Sequence, residues 1–154
     1  MPLPLEGLTV LDFSTLLPGP LATFMLAEAG AEVIKVERPG GEDMRGFPPR
    51  LGAGSATFAM LNAGKKSIAV DLKAEAGRAA LRPLLKRTDI LVEQFRPGVM
   101  ERLGLGYAAV RAMNPRLVYC SISGYGQQGP SRDEAAMDLV MQAASGLLSI
   151  TGTE

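Results

Sequence analysis

Histidine is absent from all 154 residues. That removes histidine-based triads, the commonest near-neutral general base and the commonest zinc ligand, so any chemistry must use carboxylates, amides, hydroxyls, Lys, Arg or backbone groups. A single cysteine, Cys120, excludes an internal disulfide and suits a reducing compartment. Its setting, LVYCSIS, reads as a buried strand position rather than a reactive thiol. Net charge is missing too: 16 basic and 16 acidic residues cancel. No global field draws the chain to nucleic acid or an anionic membrane, so anion recognition must be local. No apolar run reaches the ~18 residues of a membrane span, and the N-terminus lacks the basic start and long apolar stretch of a signal peptide. The expectation is a cytoplasmic protein with no membrane and no nucleic-acid partner.

What is present is an alternation of short apolar runs and helical patterns. Residues 8–13 (LTVLDF), 32–37 (EVIKVE), 67–72 (SIAVDL), 89–93 (DILVE) and 117–123 read as strands. Helical patterns fall at 20–29, stopped by Gly30, at 73–87 with Gly77 and Pro83 inside, at 99–103, 107–113 and 135–148, with a short turn at 56–61. Residues 38–54, rich in Gly and Pro and without a period, read as an irregular loop. The alternation predicts an α/β fold, a Rossmann-like parallel sheet with flanking helices, in one unit over residues 1–154. About 70% of the surface of an unfolded chain this long can be buried.

Four landmarks follow strands: STLLPGP (14–20), ERPGG (37–41), EQFRPG (93–98) and GYGQQGP (124–130). In a parallel sheet all four leave at the carboxyl edge, where ligands of open α/β sheets bind. STLLPGP is not a three-glycine dinucleotide loop, and no Walker-type Gly-Lys-Ser/Thr occurs. Arg38 follows the second strand, where a guanidinium can stack on a flat ring or fork a phosphate, or pair with Glu37 or Glu42. Lys65, Lys66, Lys73, Arg96 and Arg102 add cations near the same predicted edge. The glycines of GYGQQGP permit close backbone approach to a ligand. Asp138, in AMDLVMQ, reads as a helix-start or structural acid.

Six blocks, GLTVLDFSTLLPGP, GAEVIKVERPGGEDMRG, NAGKKSIAVDLK, TDILVEQFRPGVMERLGLGY, NPRLVYCSISGYGQQGP and DLVMQAASGLLSITG, occur in this order. They resemble family III CoA-transferases, a superfamily that also holds the alpha-methylacyl-CoA racemases. The resemblance implies the N-terminal, CoA-binding part of an incomplete large domain, with the small domain and C-terminal part absent. It implies coenzyme A as acyl-CoA substrate, a carboxylic acid as acceptor, no metal, and an interlocked homodimer for full-length members. Carried over position by position, CoA contacts fall at Leu17, Pro18, Arg38, Val70, Asp71, Leu72, Lys73, Gln94, Phe95, Arg96 and Arg102. Leu17 stands where formyl-CoA transferases carry glutamine, and Gln94 where they commonly carry asparagine.

By the same resemblance, transferases use an aspartate that attacks the thioester, in a motif shortly after the ITG segment, beyond Glu154. This chain then holds no catalytic residue of its own and is inactive alone. The racemase branch needs a histidine just before the position of Asp138; Met137 stands there and cannot take a proton. Two other readings are a non-catalytic CoA-binding or assembly module, suggested by Met141, Leu147, Leu148 and Ile150, and a plain nucleotide-binding domain.

Overall fold

The computed structural model describes residues 1–152. In chain order its elements are β1 (Thr9–Asp12), α1 (Pro18–Glu28), β2 (Glu32–Glu37), a 3-10 turn (Asp43–Gly46), the hairpin strands β3 (Arg50–Leu51) and β4 (Gly54–Ser55), α2 (Ala56–Leu61), β5 (Lys66–Ala69), α3 (Glu75–Leu85), β6 (Ile90–Glu93), α4 (Val99–Arg102), α5 (Tyr107–Met113), β7 (Val118–Ser121), α6 (Asp138–Ala144) and a last 3-10 turn (Leu147–Ile150). Strands β5, β2, β1, β6 and β7 lie side by side in that order, and every pairing is parallel. The α/β expectation is met.

Successive strand residues face opposite sides, so two buried sides demand unbroken apolar runs. Leu11, Phe13, Val36 and Leu91 face one core, closed by Leu81 and Leu85 of α3, Met100 of α4 and Val110 of α5. Val10, Val33 and Val92 face the other, under Leu26 and Ala27 of α1. Helix α3 has the expected amphipathic form: Leu81 and Leu85 point inward while Glu75 pairs with Arg78 and Arg82 outside. Pro83 lies inside it and cannot supply the amide that would otherwise donate to Ala79 O. Helix α1 instead buries Gly19, Pro20 and Thr23 and leaves Leu21 and Met25 exposed. Gly19 explains the close approach, because a β-carbon there would stand 2.1 Å from Ser14 Cβ.

Two sequence expectations need correction. The irregular 38–54 segment contains a 3-10 turn and part of a hairpin, fastened by Arg45 stacked 4.0 Å over the Phe58 ring. Cys120 is exposed rather than buried, because β7 is an edge strand with one neighbour and no helix of the described residues covers it on that side. Val118, two residues earlier on the same face, is open as well.

Candidate functional site

The strand order reverses at β1, since β2 lies on one side of it and β6 on the other. Ligands of doubly wound folds lodge outside the carboxyl ends at such a point. A cleft of about 400 Å³ opens there. Its apolar floor is Phe13, Val36, Val70, Leu72, Phe95, Val99 and Leu103, and its polar rim is Thr15, Arg38, Glu42, Asp43, Asp71 and Lys73. The loops after β1, β2, β5 and β6 thus converge, while GYGQQGP contributes no lining residue.

The rim is built by local chemistry. Arg38 Nε donates to Gly41 O at 3.0 Å, and its Nη2 pairs with Asp43, not with Glu37 or Glu42 as the sequence suggested. That fold-back needs Gly40 and Gly41 at positive φ, 90° and 83°. Glu37, which also lines the cleft, is held by Arg45 (2.5 Å), Ser67 (2.5 Å) and the Glu42 amide (3.0 Å). These bonds, Arg45 foremost, hold its carboxyl at about 2 against the opposing effect of burial. In the loop after the neighbouring strand β5, Asp71 Oδ1 accepts the Lys73 amide at 2.9 Å, and Arg78 Nη1 donates to Leu72 O and Lys73 O, each at 2.8 Å. Arg78 therefore fixes the segment that presents Lys73.

Of the residues carried over from the resemblance, Arg38, Val70, Asp71, Leu72, Lys73 and Phe95 line this cleft. Leu17 and Pro18 lie at the start of α1, directly after the lining residues Thr15 and Leu16. Gln94 Oε1 accepts the Gly19 amide at 2.9 Å, capping an unsatisfied donor of α1. Arg96 precedes α4, its carbonyl accepting from the Val99 amide at 3.1 Å, and Arg102 closes that helix; neither lines the cleft.

The expected gathering of cations is corrected as well. Lys66 begins β5 and pairs with Glu32 at the opposite, amino edge. Lys65 is shut from solvent beneath α1, where its Nζ meets Asp12 Oδ2 (3.2 Å), Pro20 O (2.8 Å), Thr23 Oγ1 (2.8 Å) and Asn62 Oδ1 (3.1 Å). Desolvation pushes its ammonium below the ordinary lysine value, with Asp12 opposing. Asp12 also receives the Ser14 amide (2.9 Å), the Ser14 hydroxyl and Thr23 Oγ1 (2.6 Å). Sequence reasoning missed this network, and a charged residue ending an apolar strand (LTVLDF) is the signal that marks it.

A further buried acid, Glu93 at the end of β6, accepts the Phe95 amide at 2.8 Å, and burial holds its carboxyl above the usual range. Burial, then the nearby Glu93 and Glu101 charges, raises the Tyr119 phenol. Asp138 opens α6 and accepts from Gln142 Nε2 at 2.9 Å, a helix-start role; Met137 before it is exposed. Among the described residues no cluster of three or more His, Cys, Asp or Glu side chains could hold a metal ion, and no helix is long and apolar enough to cross a membrane.

Comparison with known proteins adds an independent line. The chain is 45% identical over 150 residues to the acetyl-CoA:oxalate CoA-transferase of Acetobacter aceti, covering 97% of this chain and 39% of that protein. It is 46% identical over 153 residues to the succinyl-CoA:glutarate CoA-transferase of Homo sapiens, covering 98% and 35%. The crystal structure of Rv3272 from Mycobacterium tuberculosis superposes with a TM-score of 0.90 at 44% identity, covering 98% of this chain and 42% of that one. A CAIB/BAIF family protein from Brucella suis gives 0.93 at 38% identity, covering 99% and 42%. The chain thus spans well under half the length of these relatives. The family model for CoA-transferase family III matches residues 5–154, and the chain belongs to that family.

Proposed function

We propose that this chain is the coenzyme A-binding part of an acyl-CoA:carboxylate CoA-transferase. The observation that carries the reading is the convergence of the β1, β2, β5 and β6 loops into one cleft with an apolar floor and two cations, Arg38 and Lys73, among its lining. Coenzyme A has that character: a flat base and an apolar-compatible pantetheine arm joined by phosphates. Arg38 would stack on the base or fork a phosphate, Lys73 would meet a phosphate as a point charge, and Val36, Leu72 and Phe95 would cover the apolar part. Leu17, Pro18, Gln94, Arg96 and Arg102 extend the same loops and would meet the ligand's remaining length.

The reaction moves coenzyme A from an acyl-CoA to a carboxylic acid. In this reading the attacking aspartate belongs to polypeptide outside this chain, and the assembled enzyme is a cytoplasmic homodimer that takes part in acyl-CoA metabolism. The exposed Leu147, Leu148 and Ile150, with α6 burying no residue, support a partner surface there. Met137 at the proton-transfer position of the racemases supports transfer over isomerisation.

Calorimetric titration of the chain with coenzyme A, NAD and ATP tests the reading. Saturable 1:1 binding of coenzyme A that neither NAD nor ATP displaces is expected. Tighter binding of NAD or ATP would replace it with a plain nucleotide-binding domain, and no binding of coenzyme A would end it.

A further inference from the structure

Leu16 is the one non-glycine residue among those described with a positive φ, at 61°. A side chain with a β-carbon rarely adopts that region, and it persists only where the surroundings hold it. What holds it is specific. The Leu16 amide donates to Glu42 Oε1 at 3.2 Å. Glu42 Oε2 lies 2.6 Å from Lys35 Nζ, a contact that is ionic rather than a directed hydrogen bond. Lys35 Nζ in turn donates to Ser14 O at 2.8 Å. The acid and the base therefore grip the backbone on either side of Thr15, and Thr15, Leu16 and Glu42 all line the cleft. The Lys35 and Glu42 side chains are 1% and 3% exposed.

A buried ion pair is weak grounds for stability, since apolar residues of similar volume usually pack as well. Lys35 and Glu42 do something apolar residues cannot: they supply one donor and one acceptor to a strained turn. Glu42 is itself located by its own amide, which donates to Glu37 Oε2 at 3.0 Å, so the turn after β1 is tied to the loop that carries Arg38. We propose that Glu42, seated on Lys35, is a positioning residue that sets Leu16 as a fixed wall of the cleft and couples the first ligand loop to the Arg38 loop. Its effect on ligand affinity rests on the coenzyme A reading above; its effect on the Leu16 backbone does not.

The experiment pairs amide hydrogen exchange with coenzyme A titration in the unaltered chain and in the double variant Lys35→Met/Glu42→Leu, chosen to remove both charges while keeping volume. In the unaltered chain the Leu16 amide, in an exposed loop, should exchange at least about tenfold more slowly than an open amide; an open-chain rate overturns the proposal without any variant being needed. In the double variant, melting near the unaltered temperature should accompany about tenfold faster Leu16 exchange, unchanged protection at Leu11 and Leu91, and about tenfold weaker coenzyme A binding. Unchanged Leu16 protection, or affinity within about twofold of the unaltered chain, overturns it. Failure of the unaltered chain to bind coenzyme A sinks the ligand reading alone, and the exchange result then decides the positioning role.

Discussion

Lys65 Nζ lies 3.2 Å from Asp12 Oδ2 with neither side chain reaching solvent. The pair joins the end of β1 to the segment before β5 and, through Thr23, to the inner face of α1. It therefore sets the turn from β1 into α1 from below, while Lys35 and Glu42 set it from the cleft side.

Breaking this pair should be strongly destabilising, because Asp12 would remain buried with its charge uncompensated. Lys65→Met is expected to lower stability by about 3 kcal/mol, read as a shift of the urea midpoint. A change under about 0.5 kcal/mol, the range of an ordinary surface substitution, would show that the ammonium is not engaged.

Gly77 is expected to matter to the cleft from a distance. A β-carbon there would meet Asp71 O at 2.1 Å, a backbone atom in the segment that presents Lys73. Gly77→Ala should cost about 1–3 kcal/mol and weaken coenzyme A binding together with stability. Gly52→Ala, where a β-carbon would meet nothing within 4 Å, offers a comparison: its strain is local to φ +58° and far from the cleft lining, so affinity should hold.

Acid should loosen the loop after β2. Glu37 has a carboxyl lowered from 4.5 to about 2, chiefly by Arg45. A lowered value means that the unfolded chain binds the proton more readily, so the stabilisation is full above about pH 4.5 and is lost as pH falls towards about 2. Urea midpoints followed down through that window should decline, and Arg45→Leu should flatten the decline. An equal slope in the variant would assign the acid sensitivity elsewhere.

On the rims, Arg38→Ala and Lys73→Ala should each weaken coenzyme A binding about tenfold, or about 1.4 kcal/mol, with melting nearly unchanged because both side chains are at the surface. Calorimetry and thermal melts on the same samples separate the two effects. Arg78→Ala should act more mildly on affinity, by freeing the Leu72 and Lys73 carbonyls.

Periodicity made the sheet readable. Runs such as EVIKVE and DILVE, apolar at neighbouring positions, can only be buried on both faces, and β2, α2 and α5 lie at the bounds their patterns indicate. The convergence of the loops after β1, β2 and β6 followed from parallel strands, although GYGQQGP stands apart from the cleft, whereas Val70, Leu72 and Phe95 came from the family resemblance and not from the strand pattern. Cation placement was not readable, because a lysine in a basic stretch looks solvated until its fold partners are known: Lys65 met Asp12 from 53 positions away. Cys120 looked buried because LVYCSIS has the composition of a central strand, whereas β7 is an edge. The Leu16 conformation left no trace, since nothing in STLLPGP marks leucine for a left-handed turn.

The central claim is tested most directly by following backbone amide resonances as coenzyme A is added. The account expects saturable shifts concentrated at Leu16, Val36, Arg38, Leu72, Lys73 and Phe95, with Thr9, Glu32 and Lys66 at the amino edge still. Shifts scattered over both edges of the sheet, or none at saturating ligand, would contradict it.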